Sequence, residues 1–488
     1  MLAALAAGIH LLTVPSPTPN RIPGAGIFQS SYILSLAIWI PVAVAVVISV
    51  LPNPRGRFDT VIKQIAFFTN LGLMFILFIA YNQFSTFLPN VQYEEKIAWL
   101  PAIGAVYHLG VDGPGMVMLV LSGLIGIIAV LASQGVRDRV RSYFALLLLA
   151  QACVTGAIAA HDLFVLTLFW SAATVPITLL ILGWGGARRE SAAWRLAAYW
   201  GAGSVALMLA VMGIYAATGG TSFDMDAVLK SPLAPRAEVI VGLGIFLAAA
   251  TRLPLFPFHG WARDVYAEAP LGVVVLVAST GTRLGAYLVL RLLVAAEPDG
   301  ARLLSPLMAG LAALTVIYGA AAALIASAFT TISDRAQTRS LAVLSGIGPR
   351  MPKLAWLTVL AALGLLGVPL MATFTSNEMT FFGAFKTQPV GGFAVAAGLA
   401  LTAVALAVVV QRVLFGAPNT DAPAVSDASL GETWYLGMLA GALLWVGIVP
   451  GGPKLPGTDQ PLFDPGIANV FVADLPEIVA PYAGTAGP

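Results

Sequence analysis

Four ionisable side chains stand where the surrounding apolar sequence would ordinarily exclude charge. Arg252 and His259 lie in "ATRLPLFPFHGW" together with Pro254 and Pro257. Arg283 sits in "VLVASTGTRLGAYLVL", and Glu378 in "VPLMATFTSNEMTFFGAF", shortly after Pro369. An ionised group at the centre of a bilayer costs at least ~2.5–3.5 kcal/mol on insertion scales. Proline removes a backbone donor and breaks the helical ladder, which membrane helices tolerate where the freed groups face protein or water. Two such breaks, one in each half of a chain, point to an ion path through a repeat-built transporter. Each residue also has a plainer reading. Arginine keeps its proton at neutral pH, so Arg252 and Arg283 can equally snorkel or pair with a carboxylate. His259 can titrate or simply satisfy the helix break. Glu378 can relay a proton or hold two helices together. Trp170, Trp184 and Trp261 read as packing or interface-belt residues, and Asp162 as a helix N-cap.

The elements that must position these residues are membrane helices. Apolar residues make up 59% of the 488 and charged residues only 10%, with a mean hydropathy of +0.89. An ordinary soluble domain carries about 25% charge. Apolar runs long enough to cross a bilayer fall near 31–52, 64–83, 114–133, 143–160, 162–184, 194–217, 238–257, 270–296, 303–328, 354–386, 389–415 and 430–450. The expectation is therefore an all-α, polytopic membrane helix bundle of about twelve transmembrane helices. The helices at about 238–257 and 354–386 are broken by proline. Residues 31–450 form a single membrane domain, between an N-terminal tail (1–30) and a Pro/Gly-rich surface tail (451–488). Of the 25 Lys and Arg, 15 fall in the loops on one side of this arrangement. The positive-inside rule makes that side the cytoplasm and starts the N-terminus outside.

Several chemistries find no support. One cysteine, Cys153, forbids an internal disulfide. The histidines His10, His108, His161 and His259 are far apart and show no metal-ligand spacing. There is no phosphate-binding loop, dinucleotide fingerprint or nucleophile elbow. Neither a metal, a cofactor nor a nucleic-acid partner is implied, and no residue is assigned to catalysis.

At the unusual residues the sequence resembles a known family, the antiporter-like membrane subunits of proton-pumping NADH–quinone oxidoreductase (respiratory complex I), of the chain M type. Related proteins occur in multisubunit Na+/H+ antiporters and membrane-bound hydrogenases. "TRLPLFPFHGWARDVYAEAP" is similar to the family's Lys-x-Pro-x-x-Pro-x-His-x-Trp-Leu-Pro-Asp-Ala-His-x-x-Ala-Pro, and "TRLGAYLVLR" to its next helix. "EEKIAWLPAIGAVYHLGVDGPGMVMLVLSGLIGIIAVLAS" and "FWSAATVPITLLILGWGGARRESAAWRLAAYWGAGS" resemble its N-terminal half. The likeness runs in order over roughly residues 31–450. It implies a subunit without a redox centre of its own, seated in the cell inner membrane among other membrane subunits of a complex I-like assembly. The partners implied are those subunits, the lipid bilayer and protons.

The departures bear on mechanism. In the family a fifth-helix Glu pairs with a lysine in the broken seventh helix. Here these positions hold Ser171 and Arg252, and the eighth-helix lysine position holds Arg283. The carboxylate position of the twelfth helix holds Asn377, with Glu378 one residue later. About two helices, matching the family's tenth and eleventh, are missing between "ALIASAF" and "TTISDRAQTRS". The resemblance thus implies a charged axis through Arg252, Arg283, His259 and Glu378 that keeps positive charge but lacks its pKa tuning, so that proton pumping through this subunit is impaired or absent. Two other readings stand beside it, a subunit of a Na+/H+ antiporter or membrane-bound hydrogenase, and a purely structural membrane subunit.

Overall fold

The computed structural model describes residues 32–53, 56–84, 91–229 and 233–294, most of 346–368, all of 389–417, and scattered positions within 301–315 and 427–441. The chain divides into two compact units, with a boundary in the sequence between Leu304 and Ser305.

In the first unit, α1 (Ile33–Val50) and α2 (Asp59–Gln83) are apolar helices of membrane-crossing length. An antiparallel hairpin follows, β1 (Gln92–Leu100) and β2 (Ala105–Val111). The turn between them is a single 3-10 turn, Pro101–Ile103, closed by Gly104 at φ +70°. A side chain on Gly104 would run into the Thr221 carbonyl, so both the backbone angle and the space require glycine there. The hairpin is a departure from the all-helical expectation. Its residues lie outside the long apolar runs, so a search by span length passes over them.

The hairpin anchors the start of the bundle. Glu95 is buried and accepts hydrogen bonds from Leu34 N (2.8 Å) and Ser35 N (3.1 Å), and a short one from Ser35 Oγ. It thereby satisfies the amides at the first turn of α1, which have no partner within the helix. Trp39 Nε1 donates to Tyr107 Oη at 3.0 Å from the next turn.

The bundle continues with α3 (Gly113–Ala132), α4 (Val140–Ala159), α5 (Leu163–Ala172), α6 (Thr174–Trp184) and α7 (Arg189–Ala217). Asp112 and Asp162 cap α3 and α5, accepting from Gly115 N at 2.7 Å and from Phe164 N at 2.8 Å. A short α8 (Met225–Leu229) leads to α9 (Pro235–Arg252), the broken helix, and to α10 (Gly260–Glu268) beyond the break. The next span, α11 (Leu271–Leu276) and α12 (Thr282–Leu288), contains π-turns at Val277–Gly281 and Val289–Val294.

The largest buried side chains include Trp170, Trp200, Trp261 and Arg252. Large apolar side chains such as Phe68, Phe75, Leu209 and Ile240 are exposed, as on lipid-facing helix surfaces. Among the described residues of the second unit, α13 (Pro352–Leu366) packs on α14 (Pro389–Phe415) through Met351, Leu414, Ala355 and Val410.

Among the described residues eight helices are long and apolar enough to cross a membrane. The first eight spans read from the sequence correspond to helices within a few residues. The span at 238–257 is the instructive difference: its helix stops at Arg252. Proline disfavours the helical conformation for the residue before it and itself lacks the N–H a continuing helix needs, so the helix ends ahead of Pro254, short of the apolar run. Pro369, Asn377 and Glu378, the twelfth-helix break, the missing helix pair and both tails lie outside the described residues.

Candidate functional site

Arg252 is the last residue of α9 and has no solvent exposure. One guanidinium nitrogen donates to the Trp170 carbonyl at 2.6 Å. Its guanidinium carbon lies 3.8 Å from the ring centroid of Trp200 and 4.6 Å from that of Trp170. Nε and the other terminal nitrogen have no hydrogen-bond partner, and among the described residues no carboxylate forms an ion pair with Arg252. The charge is thus held by one backbone carbonyl and two indole faces. A delocalised, weakly hydrated guanidinium suits such a box better than an ammonium does.

Three helices build this box. Trp170 comes from α5 and Trp200 from α7, while α9 delivers Arg252. Close approach of α7 and α9 depends on Gly203, where a Cβ would collide with Thr251 Oγ1. Close approach of α12 depends on Gly285, whose Cβ would meet the Ala249 carbonyl at 3.0 Å and Arg252 Cβ at 3.1 Å.

The break is closed internally. Leu253 N donates to Ala249 O at 2.8 Å and Leu255 N to Ala250 O at 3.1 Å. Trp261 Nε1, beyond the bend, donates to Thr251 O at 2.7 Å. Its ring meets Trp200 edge to face at 5.3 Å, extending the box. The short helix α10 is tied in turn to α7 and to the turn before it: Glu268 accepts from Arg188 N at 3.0 Å, Gly186 N donates to Glu268 O at 2.8 Å, and Asp264 pairs with Arg195.

Ser171 lies half-buried on α5, next to the residue whose carbonyl Arg252 reaches. His259 caps the start of α10 and stacks on Phe256, with centroids 5.7 Å apart. Pro254 and Pro257 lie in the turn between α9 and α10. Arg283 is exposed at the start of α12. Arg252 therefore reaches the backbone beside Ser171, and Arg283 is exposed on its own helix.

Arg291 is the ionisable residue that sequence reasoning missed. It lies in the π-turn after α12 with only 8% of its side chain accessible. It donates to Ile158 O at 3.1 Å and to His161 Nδ1 at 2.6 Å, makes a short bond to Tyr287 Oη, and lies 3.8 Å from Asp112 Oδ2. Tyr287 Oη in turn donates to Asp112 Oδ1 at 3.1 Å. A small cavity lined by Trp170, Leu284, Tyr287 and Arg291 lies between this group and the Trp170 side of the Arg252 box. The available signal was Arg291 itself, a second arginine inside the span that begins at Leu271.

A bundle of helices long and apolar enough to cross a membrane, with one helix ending at a buried cation, is the architecture of a polytopic membrane protein. The family follows from comparison: residues 160–329 and 321–404 match the model described as NADH:quinone oxidoreductase/Mrp antiporter, TM. This chain belongs to that family. The NAD(P)H-quinone oxidoreductase chain 4 2 of Thermosynechococcus vestitus is 28% identical over 476 residues, covering 86% of this chain and 89% of the relative. NADH-quinone oxidoreductase subunit M of Escherichia coli K12 is 26% identical over 423 residues, covering 74% and 83%. In fold, a chain of Thermus thermophilus respiratory complex I superposes with a TM-score of 0.74 at 22% identity, covering 91% of this chain and 99% of that one. A chain of the archaeal membrane-bound sulfane sulfur reductase gives 0.72 at 19%, covering 94% and 85%.

Proposed function

We propose that this chain is a chain M-type membrane subunit of an NADH–quinone oxidoreductase assembly, and that its own first-half charge site is fixed and does not load and release protons. The observation that carries the reading is the Arg252 box. Arg252 is fully buried, bonded to the Trp170 carbonyl and packed against two indole rings, with Ser171 where the resembled family carries the carboxylate that tunes a switchable base. Proton relays use groups whose pKa can be drawn toward neutrality. An arginine retains its charge through such a cycle. The subunit then contributes fixed positive charge and scaffolding to an assembly whose proton movement runs through its neighbours.

In this reading the subunit sits in the inner membrane with its N-terminus and the β1–β2 hairpin outside and His259 at the cytoplasmic mouth. Its partners are other membrane subunits of the complex and the surrounding lipid. Glu378 then takes the place of the second half's charged residue and the second repeat is short of two helices, while Arg283, exposed on its own helix, takes no part in the Arg252 site. A second reading, a subunit of a related respiratory membrane complex or antiporter, is favoured by the near-equal likeness in fold to the sulfane sulfur reductase chain.

Purification of the intact assembly from membranes separates these readings by its partners, quinone- and NADH-module subunits against small antiporter subunits. Reconstitution of that assembly in vesicles then tests the fixed charge. The double variant Arg252→Lys, Ser171→Glu should gain proton translocation per electron pair relative to the parent. A parent subunit whose proton yield falls on Arg252→Gln would overturn the proposal.

A further inference from the structure

The fold gathers residues that the sequence scatters. His108 lies on β2, His161 in the turn between α4 and α5, and Asp224 just before α8. The two imidazoles meet edge to face with centroids 4.6 Å apart. One ligand atom from each of the three residues lies within 4.8 Å of the other two. Backbone bonds fix the segments that carry them: His161 N to His108 O (2.8 Å), Leu163 N to Phe223 O (2.9 Å) and Met225 N to His161 O (3.1 Å).

Two observations distinguish this cluster from an ordinary structural one. His108 is completely buried, and both ring nitrogens face carboxylates: Nδ1 lies 3.2 Å from Asp224 Oδ2 and Nε2 3.9 Å from Glu94 Oε2, in ion-pair contact but off ideal hydrogen-bond geometry. The charge is also unbalanced. Among the described residues, Glu94, Asp112, Asp162, Asp224 and Asp226 lie at or beside the site, against Lys96 and Arg291. Two imidazoles and a carboxylate with an excess of negative charge around them form a donor set for a divalent cation of borderline softness.

We propose that His108, His161 and Asp224 bind a divalent transition-metal cation of the zinc class at the hairpin end of the first unit. The ligand atoms must draw together, since zinc–nitrogen bonds run at about 2.0–2.1 Å. His161 Nε2 bonds Asp226 Oδ1 at 2.9 Å, and its Nδ1 accepts from Arg291. A cation arriving at Nδ1 displaces Arg291 toward Asp112 and leaves Asp226 holding the Nε2–H. That is the carboxylate–imidazole–metal arrangement that orients histidine ligands. Lys96, 3.4 Å from Asp224 and 3.5 Å from Asp226, competes for the same carboxylates.

The test uses the full chain in nanodiscs, with Zn2+ affinity measured by competition against a chromogenic chelator and Co2+ as a spectroscopic probe. The expected result is one Zn2+ per chain and visible Co2+ absorption of four-coordinate character. His108→Gln and Asp224→Asn should each weaken binding about 10-fold or more, and Asp226→Asn by about 10- to 100-fold, as for loss of an orienting carboxylate. Lys96→Gln, an exposed position, should tighten binding. Equal affinity in His108→Gln and the parent overturns the proposal. Should His108→Gln fail to fold, Lys96→Gln decides: tighter binding supports the site, and unchanged or weaker binding overturns it.

Discussion

At the scale of single residues, the Arg252 box is unusual because its charge has so few polar partners. Two of its three guanidinium nitrogens are orphaned, and a buried charge without a counter-charge is costly. Replacing it by an apolar side chain of similar volume, Arg252→Met, should therefore be neutral or stabilising by about 1–4 kcal/mol, read as thermal unfolding in detergent. The Ser171→Glu background should reverse the sign. There a carboxylate would pair with the guanidinium, and Arg252→Met should cost about 3–5 kcal/mol by leaving that carboxylate buried alone. Arg252 was legible in the sequence because its type conflicts with its surroundings. Its partner was not, since a backbone carbonyl has no sequence signature and Trp170 reads there as ordinary packing. The His108–His161 approach was equally hidden, because it arises from bridges between distant segments rather than from spacing.

At the scale of elements, two contacts decide whether α9 can deliver its arginine. Gly203→Ala on α7 should cost about 1–3 kcal/mol through overpacking against Thr251. Much of that loss should be recovered in the double variant with Thr251→Ala, a coupling measurable in a double-mutant cycle. Trp261→Phe keeps the aromatic packing but strands the Thr251 carbonyl, with an expected cost of about 1–3 kcal/mol. Helix positions were the most readable part of this chain, because a membrane-crossing helix must be long and apolar. The ends were less so. Hydropathy alone carries the seventh run through to residue 257, whereas proline stereochemistry stops the helix at Arg252. The π-turns around α12 were invisible, as they exchange one hydrogen-bond pattern for another without changing composition.

At the scale of the molecule, the hairpin joins the beginning of the bundle to its middle, and Glu95 is the anchor. Burial pushes its carboxyl up from 4.5 to about 7, against the opposing effect of its bonds to Ser35 and Leu34. A carboxyl whose folded value is raised gives stability that is full below its unfolded value and is lost as pH rises through the folded one. Amide exchange in β1 and β2 should therefore be slowest near pH 4.5, after correction for intrinsic rates, with protection falling through about pH 7. Glu95→Gln should flatten that dependence. The membrane class was readable, and so were the order and rough bounds of the first eight spans. The hairpin was not, because twenty residues of mixed polarity between two helices carry no obligation to pair until a buried acid and a glycine turn are seen in place.

A broken helix is usually regarded as a joint, a place where a machine bends. The bond from Trp261 to Thr251 spans this one, and Glu268 fastens its far arm to the turn before α7. The piece from Pro235 to Glu268 therefore behaves as a bracket. Such a bracket would transmit a push from either direction rather than absorb it, and spectroscopic labels on its two arms should report one unchanging separation throughout turnover.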